Sequence, residues 1–581
     1  MSPARSPASV ATLCVTLLAL GGAGAFAQSA AWPVAASDSL RVLRRARTAQ
    51  RDFEWTRRVN LPFENGGGSG RCDERIGRYC YWYQPSSGPS PQESEVVGRA
   101  RARLLGQLER AGERVPGDDW VVGQLVRYLA EQGELELAVS TAQRCRATRW
   151  WCDALEGFAR HSAHDYEGAD AAFERALRGM PQQQRCAWID LSLLLDEGRR
   201  QYQKLSCIQR QSAGERIWWL ARPLYSRPGN DLRTEHYARR TMALLLEDAQ
   251  TPDGIAFGDD TREIVVRYGW PIHWARGYDR PGRLDPPPIF GHEPSPSFWL
   301  FPEPALTPPW ADVTELHWDP VKVRPSARYA LSYAAGFAPI EHAQFARFRR
   351  GDTTLTVAAF DLTSDSIFSK RPADIRLVVA RDPSTPVEIE AIAPVVPRAV
   401  LSVRSLWRPA VVSLEALGMD TAWAARARAM TPPDPAGNPS GLSDLLLLSP
   451  PPAVPTSLDR ALPQALTAPV VRTGQRVGLY WEMYAAPDSS APMEMVVAVM
   501  KAQAKANTPY PVGRPWCPSQ SVSPVKLRWR EEPGARVGSP ARAVTLDLHS
   551  LSRGRYVVSV QARMNGRPYG CSSREIQVAG R

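Results

Sequence analysis

At 581 residues the chain is too long for one hydrophobic core and implies about three or four domains. A hydrophobic fraction of 44% with 23% charged residues excludes disorder as the default state. The formal charge of +11 comes almost entirely from arginine; it would favour an anionic surface such as lipopolysaccharide, phospholipid or nucleic acid, but the arginines are scattered among acids.

The chain opens with Arg5, an apolar run from Val10 to Leu20, and small residues ending Ala25-Phe26-Ala27. That is the three-part pattern of a secretory signal peptide over residues 1–27, with the mature protein beginning at Gln28. The apolar core is about half of the roughly 20 residues needed to cross a bilayer, and Cys14 lies inside it rather than after it, which argues against lipid attachment there. The expectation is an exported protein, periplasmic or extracellular and associated with the cell envelope. After cleavage no transmembrane span is expected, and export argues against nucleic acid as a partner.

Of nine cysteines, the leader removes one and leaves eight in a compartment where thiols oxidise. Short-loop pairing gives Cys72 with Cys80, Cys145 with Cys152, Cys186 with Cys207, and Cys517 with Cys571; eight cysteines allow many other pairings. Neither C-x-x-C nor histidine at zinc-ligand spacing from two cysteines occurs, so no metal site is expected.

Residues 28–92 read as an N-terminal arm. Its densest basic cluster is Arg41, Arg44, Arg45, Arg47, Arg51, Arg57 and Arg58; on a helix these spread around the circumference, which predicts a solvated helix rather than a binding stripe. Asn65-Gly66-Gly67-Gly68-Ser69-Gly70 is a loop. It lacks the Lys-Ser/Thr of a phosphate-binding loop and the final glycine of a nucleophile elbow, and leads instead into a cysteine-clipped turn.

From 93 to 215 the apolar spacing is helical. Gly157, Ala169, Phe173, Ala176 and Pro181 fall where small residues let two helices approach and an aromatic ring fills the gap. The spacing resembles a short, degenerate tetratricopeptide array, with a weaker unit upstream at Gly133, Ala138 and Ala142 and a third helical pair from Cys186 through Leu191, Leu194 and Leu195. Such arrays commonly present a concave face to a peptide or protein, although a bare helical scaffold explains the same residues.

Residues 216–284 carry the most distinctive text. Trp218-Trp219-Leu220 precedes a predicted helix from Leu232 to Asp248, followed by a predicted strand over Glu263-Ile264-Val265-Val266-Arg267-Tyr268 that ends in a glycine-proline turn. Asp260, Arg267, Tyr268, Gly269 and Pro271 are similar to the GWxTD-type domain of bacterial envelope proteins. The name-giving motif itself departs: Ala256-Phe257-Gly258-Asp259-Asp260 stands where Gly-Trp-x-Thr-Asp would be. The resemblance implies an architecture and an envelope location rather than an activity.

A proline-rich connector spans 285–330. Beyond it the pattern is period two, with a β-sandwich module expected over 331–430 on strands near Thr354–Phe360, Ile375–Ala380, Val400–Val403 and Val411–Leu414. A proline-rich linker at 431–460 precedes a C-terminal immunoglobulin-like β-sandwich at 461–581, with strands near Val477–Met483, Met495–Met500, Val544–Leu548 and Tyr556–Ala562. The expected fold class is therefore multidomain α+β, an N-terminal α-helical, tetratricopeptide-like array followed by C-terminal β-sandwich modules.

No catalytic motif, metal site or cofactor is expected. Asp259 and Asp260 are adjacent and point to opposite faces if extended, so a turn or capping role is the plainer reading. His161 and His164 are three apart on a predicted helix; they could share a metal, but exposed positions between helices are the commoner case. The other histidines are dispersed. Nineteen tryptophans would suit a glycan surface, yet Trp150-Trp151 and Trp218-Trp219 sit in helical patterns where packing is their ordinary fate. Two function classes follow: a non-enzymatic platform for a protein partner in the envelope, with glycan as a second ligand class, or a secreted hydrolase of peptide or glycan with a site near Asp259 and Asp260.

Overall fold

A computed structural model describes residues 36–64, 73–81, 92–195, 199–277, 289–292, 398–408, 410–420, 423–431, 441–450, 453–484, 492–502, 523–532 and 541–580, and 333–392 apart from positions 335, 341, 364, 366 and 370. The signal peptide, the glycine-rich loop, Cys72, Cys517 and most of the proline-rich connector lie outside these residues. What they build is α+β: a helical N-terminal region followed by a sheet-rich C-terminal one.

The helical region runs α1 (Ala36–Val59), α2 (Glu95–Arg114), α3 (Asp119–Gln132), α4 (Leu135–Gln143), α5 (Arg149–Ser162), α6 (Tyr166–Gly179), α7 (Gln182–Trp188), α8 (Arg199–Gln203), α9 (Cys207–Ala221), α10 (Asp231–Glu247) and α11 (Asp259–Tyr268). Local chemistry sets several ends. Asp118 and Asp165 accept from Val121 N and Gly168 N, Ser206 and Gln209 form a capping box, and Gly133 ends α3 at φ +86°. The α5–α6 hairpin closes tightly because Gly157 has no side chain. A Cβ there would lie 2.7 Å from two ring carbons of Phe173, and Phe173, Ala169 and Ala176 are fully buried. Gly157→Ala gains about 1 kcal/mol of helix propensity. Overpacking against a ring with nowhere to go costs about 1–3 kcal/mol. A net destabilisation by denaturant titration is expected, relieved in the Gly157→Ala/Phe173→Leu double variant; a neutral Gly157→Ala would contradict this packing.

The structure departs from three expectations. The stretch Glu263–Tyr268 is helix α11, not a strand: Asp259 and Asp260 favour the first turn through the helix dipole, and Ile264, Val265 and Tyr268 fall on one buried stripe, which outweighs the β-branched run. The third helical pair is not completed, since α7 is followed by a 3₁₀ turn at Ser192–Leu194 and the short α8. The arginines of α1 do not all face solvent: Arg57 is 2% exposed and donates to Glu93 at 2.7 Å and Glu131 at 3.2 Å, seating α1 on α2 and α3.

α10 falls within one residue of its predicted bounds, and its placement matters. It packs against α3, α5 and α6, with Leu245 pressed to Gly123 and Trp151, Gln124 Nε2 donating to Leu245 O at 2.7 Å, and Tyr237 against Phe173. The sides of α3, α5 and α6 that meet α10 are thus covered by the chain's own helix.

Among the described residues the sheet-rich region is a stack of four sheets. After the hairpin β1 (Glu74–Ile76) and β2 (Tyr79–Tyr81) and the pair β3 (His273–Arg276) and β4 (Ile289–His292), the strands are β5 (Gly336–Pro339), β6 (Ala343–Arg350), β7 (Thr353–Asp361), β8 (Ala373–Ala380), β9 (Glu388–Ile392), β10 (Arg398–Leu406), β11 (Ala410–Gly418) and β12 (Trp423–Thr431). Sheet β5-β12-β11-β8-β9 faces sheet β10-β7-β6 across one core. The second sandwich uses β13 (Leu446–Leu448), β14 (Val470–Arg472), β15 (Arg476–Glu482), β16 (Met493–Lys501), β17 (Val525–Glu531), β18 (Ala541–Asp547), β19 (Gly554–Met564) and β20 (Arg567–Ala579). Its sheets are β13-β15-β18 and β14-β20-β19-β16-β17. β13 lies inside the interval read as linker.

The layers are continuous because the middle sheets bury both faces. On β7, Ala358 and Phe360 enter the first sandwich core while Val357 and Ala359 meet Leu446, Leu448 and Tyr480 of the second. On β15, Leu479 and Trp481 point the other way, into the second core. Period-two alternation therefore becomes a near-continuous apolar run, as in any doubly buried strand.

Candidate functional site

The GWxTD-like residues converge on α11 and the small hairpin β1–β2. Gly77 begins the two-residue turn at φ +53°, and a Cβ there would lie 2.5 Å from Asp260 Cβ, so only glycine permits the approach. Asp260 receives Arg78 Nε and Nη2, both at 2.7 Å, together with Arg78 N and Thr261 N. Behind it, the Arg267 guanidinium grips Glu74 at 2.8 and 3.1 Å and Glu263 at 3.0 Å, Tyr268 donates to the same Glu74, and its ring stacks on Tyr81 with centroids 3.8 Å apart. Gly269 turns the chain at φ +88°, and Pro271 packs against Gly291 of β4. These residues staple the cysteine-bearing hairpin onto α11.

The carboxylates are committed to that task. The Arg78 hydrogen bond, reinforced by two backbone amides, holds Asp260 well below its ordinary value of 3.8. Such a group is ionised at neutral pH and a poor general acid. Asp259 is exposed and pairs with Arg262 at 2.6 Å. A depressed native pKa means that the staple contributes fully above the unfolded value near 3.8 and fades as the pH falls through the lower native one. Arg78→Ala is expected to make the 73–81 hairpin cleavable by trypsin at neutral pH; wild type should resist until well below pH 3.8 with an acid protease. Equal cleavage of both at pH 7 would remove the staple from the account.

A second cluster lies where α5 meets α10. His161 is buried rather than exposed: Nε2 lies 2.6 Å from Glu235 and Nδ1 lies 3.0 Å from Thr234. Glu235 also receives Arg239 Nε at 2.6 Å, and Arg239 donates onward to Arg267 O at the end of α11. Burial pushes the Glu235 carboxyl up, but Arg239 and His161 override it and hold it well below its ordinary value. His164 sits apart at φ +62° with its Nδ1 2.8 Å from Tyr166 OH, so the two histidines do not share a ligand position. Among the described residues no group of His, Cys, Asp and Glu is placed to hold a metal.

Cys145–Cys152 and Cys186–Cys207 are bonded. Cys80 and Cys571 are also in disulfides. Trp151, Trp218 and Trp219 are buried in helical cores.

Sequence reasoning missed the junction between the helical region and the first sandwich. The Glu415 carboxylate of β11, 1% exposed, accepts from Tyr225 N at 2.8 Å, Ser226 N at 2.9 Å and Ser413 Oγ. From β12, Arg426 and Arg428 donate to the carbonyls of Leu220, Arg222 and Pro223 at the C-terminal end of α9. Around this clamp, Trp218, Leu224 and Leu232 share one core with Val378, Val411 and Ala424. A signal was present: one carboxylate in the apolar run Val411–Leu417, and two arginines spaced by two on the next strand. Elsewhere, a cleft of about 400 Å³ beside β10 is lined by Arg398, Ser402 and Thr467 with apolar neighbours, and holds neither carboxylate nor histidine.

No protein-family model and no curated protein matches the sequence. Among solved structures, red sea bream transglutaminase aligns over 41% of this chain and 32% of its own at 9% identity, with a TM-score of 0.12. Chicken CNTN1 FN1-FN3 domains align over 42% of this chain and 68% of their own at 11% identity, with a TM-score of 0.14. The chain spans about a third of the transglutaminase, and likeness at these scores carries no inference about activity.

Proposed function

We propose that this chain is an exported cell-envelope protein of the GWxTD type that works as a non-enzymatic platform for a protein partner, with glycan as a second ligand class. The observation that carries this reading is the buried clamp of Glu415, Arg426 and Arg428, which ties the helical region to the first sandwich through a shared core. A joint built this way holds outward surfaces in fixed relation, which is what a platform requires. Six described cysteines in disulfides suit an oxidising compartment. No helix among the described residues is long and apolar enough to cross a membrane. The GWxTD-like carboxylates, engaged with arginine, serve architecture in this reading. Because α10 covers those sides of α3, α5 and α6, the partner is met elsewhere on the surface.

Two measurements test this. N-terminal sequencing of the exported protein should begin at Gln28. Crosslinking in intact cells should recover the same envelope partner repeatedly, with a yield that falls when Glu415 is replaced by alanine. Recovery of the protein alone, under conditions that capture other envelope complexes, would sink the platform reading.

A further inference from the structure

We propose that the outward face of α1 is a docking surface for anionic phospholipid headgroups. With Arg57 turned into the core, the remaining arginines do not encircle the helix. Arg41, Arg44, Arg45, Arg51 and Arg58 are all exposed, and at 100° per residue they fall within an arc of roughly 140°. Arg45 and Arg58 have no ion-pair partner among the described residues, Arg44 and Arg51 make only neutral contacts with Leu40 O and Thr48, and Arg41 alone meets a carboxylate, Asp38. The same arc holds one exposed carboxylate, Asp52, against these five arginines, and carries the apolar groups Trp55, 66% exposed, and Val59, 44% exposed, with Leu40 at its edge, 59% exposed. Nothing in folding calls for a tryptophan there, since Trp55 buries little of its area.

Charge and apolar character together select the occupant. Guanidinium groups match phosphate oxygens bidentately, which lipid and nucleic acid both offer. A row of arginines flanking an exposed tryptophan and aliphatic groups suits the bilayer interface, where indole partitions at headgroup level while the basic groups reach phosphate. From Arg41 to Val59 the stripe is about 27 Å long at 1.5 Å per residue, enough to span several headgroups. The buried side of α1 remains packed on α2 and α3, so contact is peripheral and requires no insertion.

The test is co-sedimentation of the full exported chain with vesicles of phosphatidylglycerol and phosphatidylcholine, against pure phosphatidylcholine and a single-stranded DNA oligonucleotide, at about 0.1 M salt. Each arginine near an anionic bilayer contributes about a fivefold gain in binding. Arg45→Glu/Arg51→Glu should therefore weaken binding to the anionic vesicles by at least about 25-fold. Arg45→Lys/Arg51→Lys should stay near wild type, and Trp55→Ala should lose several-fold without changing the salt dependence. These side chains are exposed, so the thermal midpoint should move little; if the reversal variant fails to fold, the lysine and Trp55 variants decide. The proposal is overturned if charge reversal leaves vesicle binding unchanged, if pure phosphatidylcholine binds equally well, or if the oligonucleotide binds more tightly with the same arginine dependence.

Discussion

Glu415→Ala is expected to destabilise the protein by about 3–5 kcal/mol, the range for removing one partner of a buried, hydrogen-bonded charge cluster. The carboxylate accepts two backbone amides from the chain leaving α9 and lies 3.9 Å from Arg428. Its loss strands the Tyr225 and Ser226 N–H donors and removes a carboxylate that lies beside that guanidinium. Glu415→Gln should cost less, because an amide oxygen still serves one donor. The change should also alter the form of unfolding, since two regions that share a core melt together only while the joint holds. Guanidinium titration followed separately by far-ultraviolet dichroism of the helices and by tryptophan fluorescence should show coincident transitions in wild type and divergent ones in the variant. A loss under 1 kcal/mol with coincident curves would mean that the apolar contacts alone hold the joint.

Arg239→Met is the second large effect, again about 3–5 kcal/mol. The guanidinium is fully buried, pairs with Glu235 at 2.6 Å and donates to Arg267 O at 2.6 Å, where the last carbonyls of α11 would otherwise lack partners. Methionine keeps much of the volume and removes both functions. The Glu235→Gln/Arg239→Met pair should recover part of the loss, since a neutral amide no longer demands a cation; a double-mutant cycle reads that coupling directly. Glu235 has a depressed native pKa, so its contribution is fully present above the ordinary value of 4.5 and lost as pH falls through the lower native one. Additive single effects would show that the two side chains act independently.

The contrast between α10 and α11 shows what pattern alone can settle. α10 was legible because Asn230 caps it and its apolar positions recur at helical spacing over 17 residues. α11 was misread because a ten-residue helix containing Ile264, Val265 and Val266 has the local propensity of a strand. The strands with long apolar runs, β7, β8, β11, β15, β16 and β19, were all found. Predicted strands also match β10 and β18, whereas β6, β12, β17 and β20, where charged residues leave no unbroken apolar stretch of the same length, have no predicted counterpart. On β6 the reason is visible: Arg347 and Arg350 reach Asp444 and Glu482 of the second sandwich, so charge there is an interface feature rather than a loop signal.

The candidate site divides the same way. Asp260, Arg267 and Tyr268 could be marked from the sequence, but their partners Arg78 and Glu74 lie more than 180 residues upstream, beyond any local pattern. His161 could be marked too, but not that Glu235, 74 residues away, would bury it. By itself the sequence determined the order of helical and sheet regions, the short-loop pairings Cys145–Cys152 and Cys186–Cys207, and which positions must be small, because periodicity, loop length and glycine's missing side chain act over a few residues. Tertiary structure alone decided that α10 covers sides of α3, α5 and α6, that Arg57 turns inward while its neighbours form an outward stripe, and that Glu415 joins two regions. Each depends on which distant surface can bury a given face, and that is a property of the assembled chain.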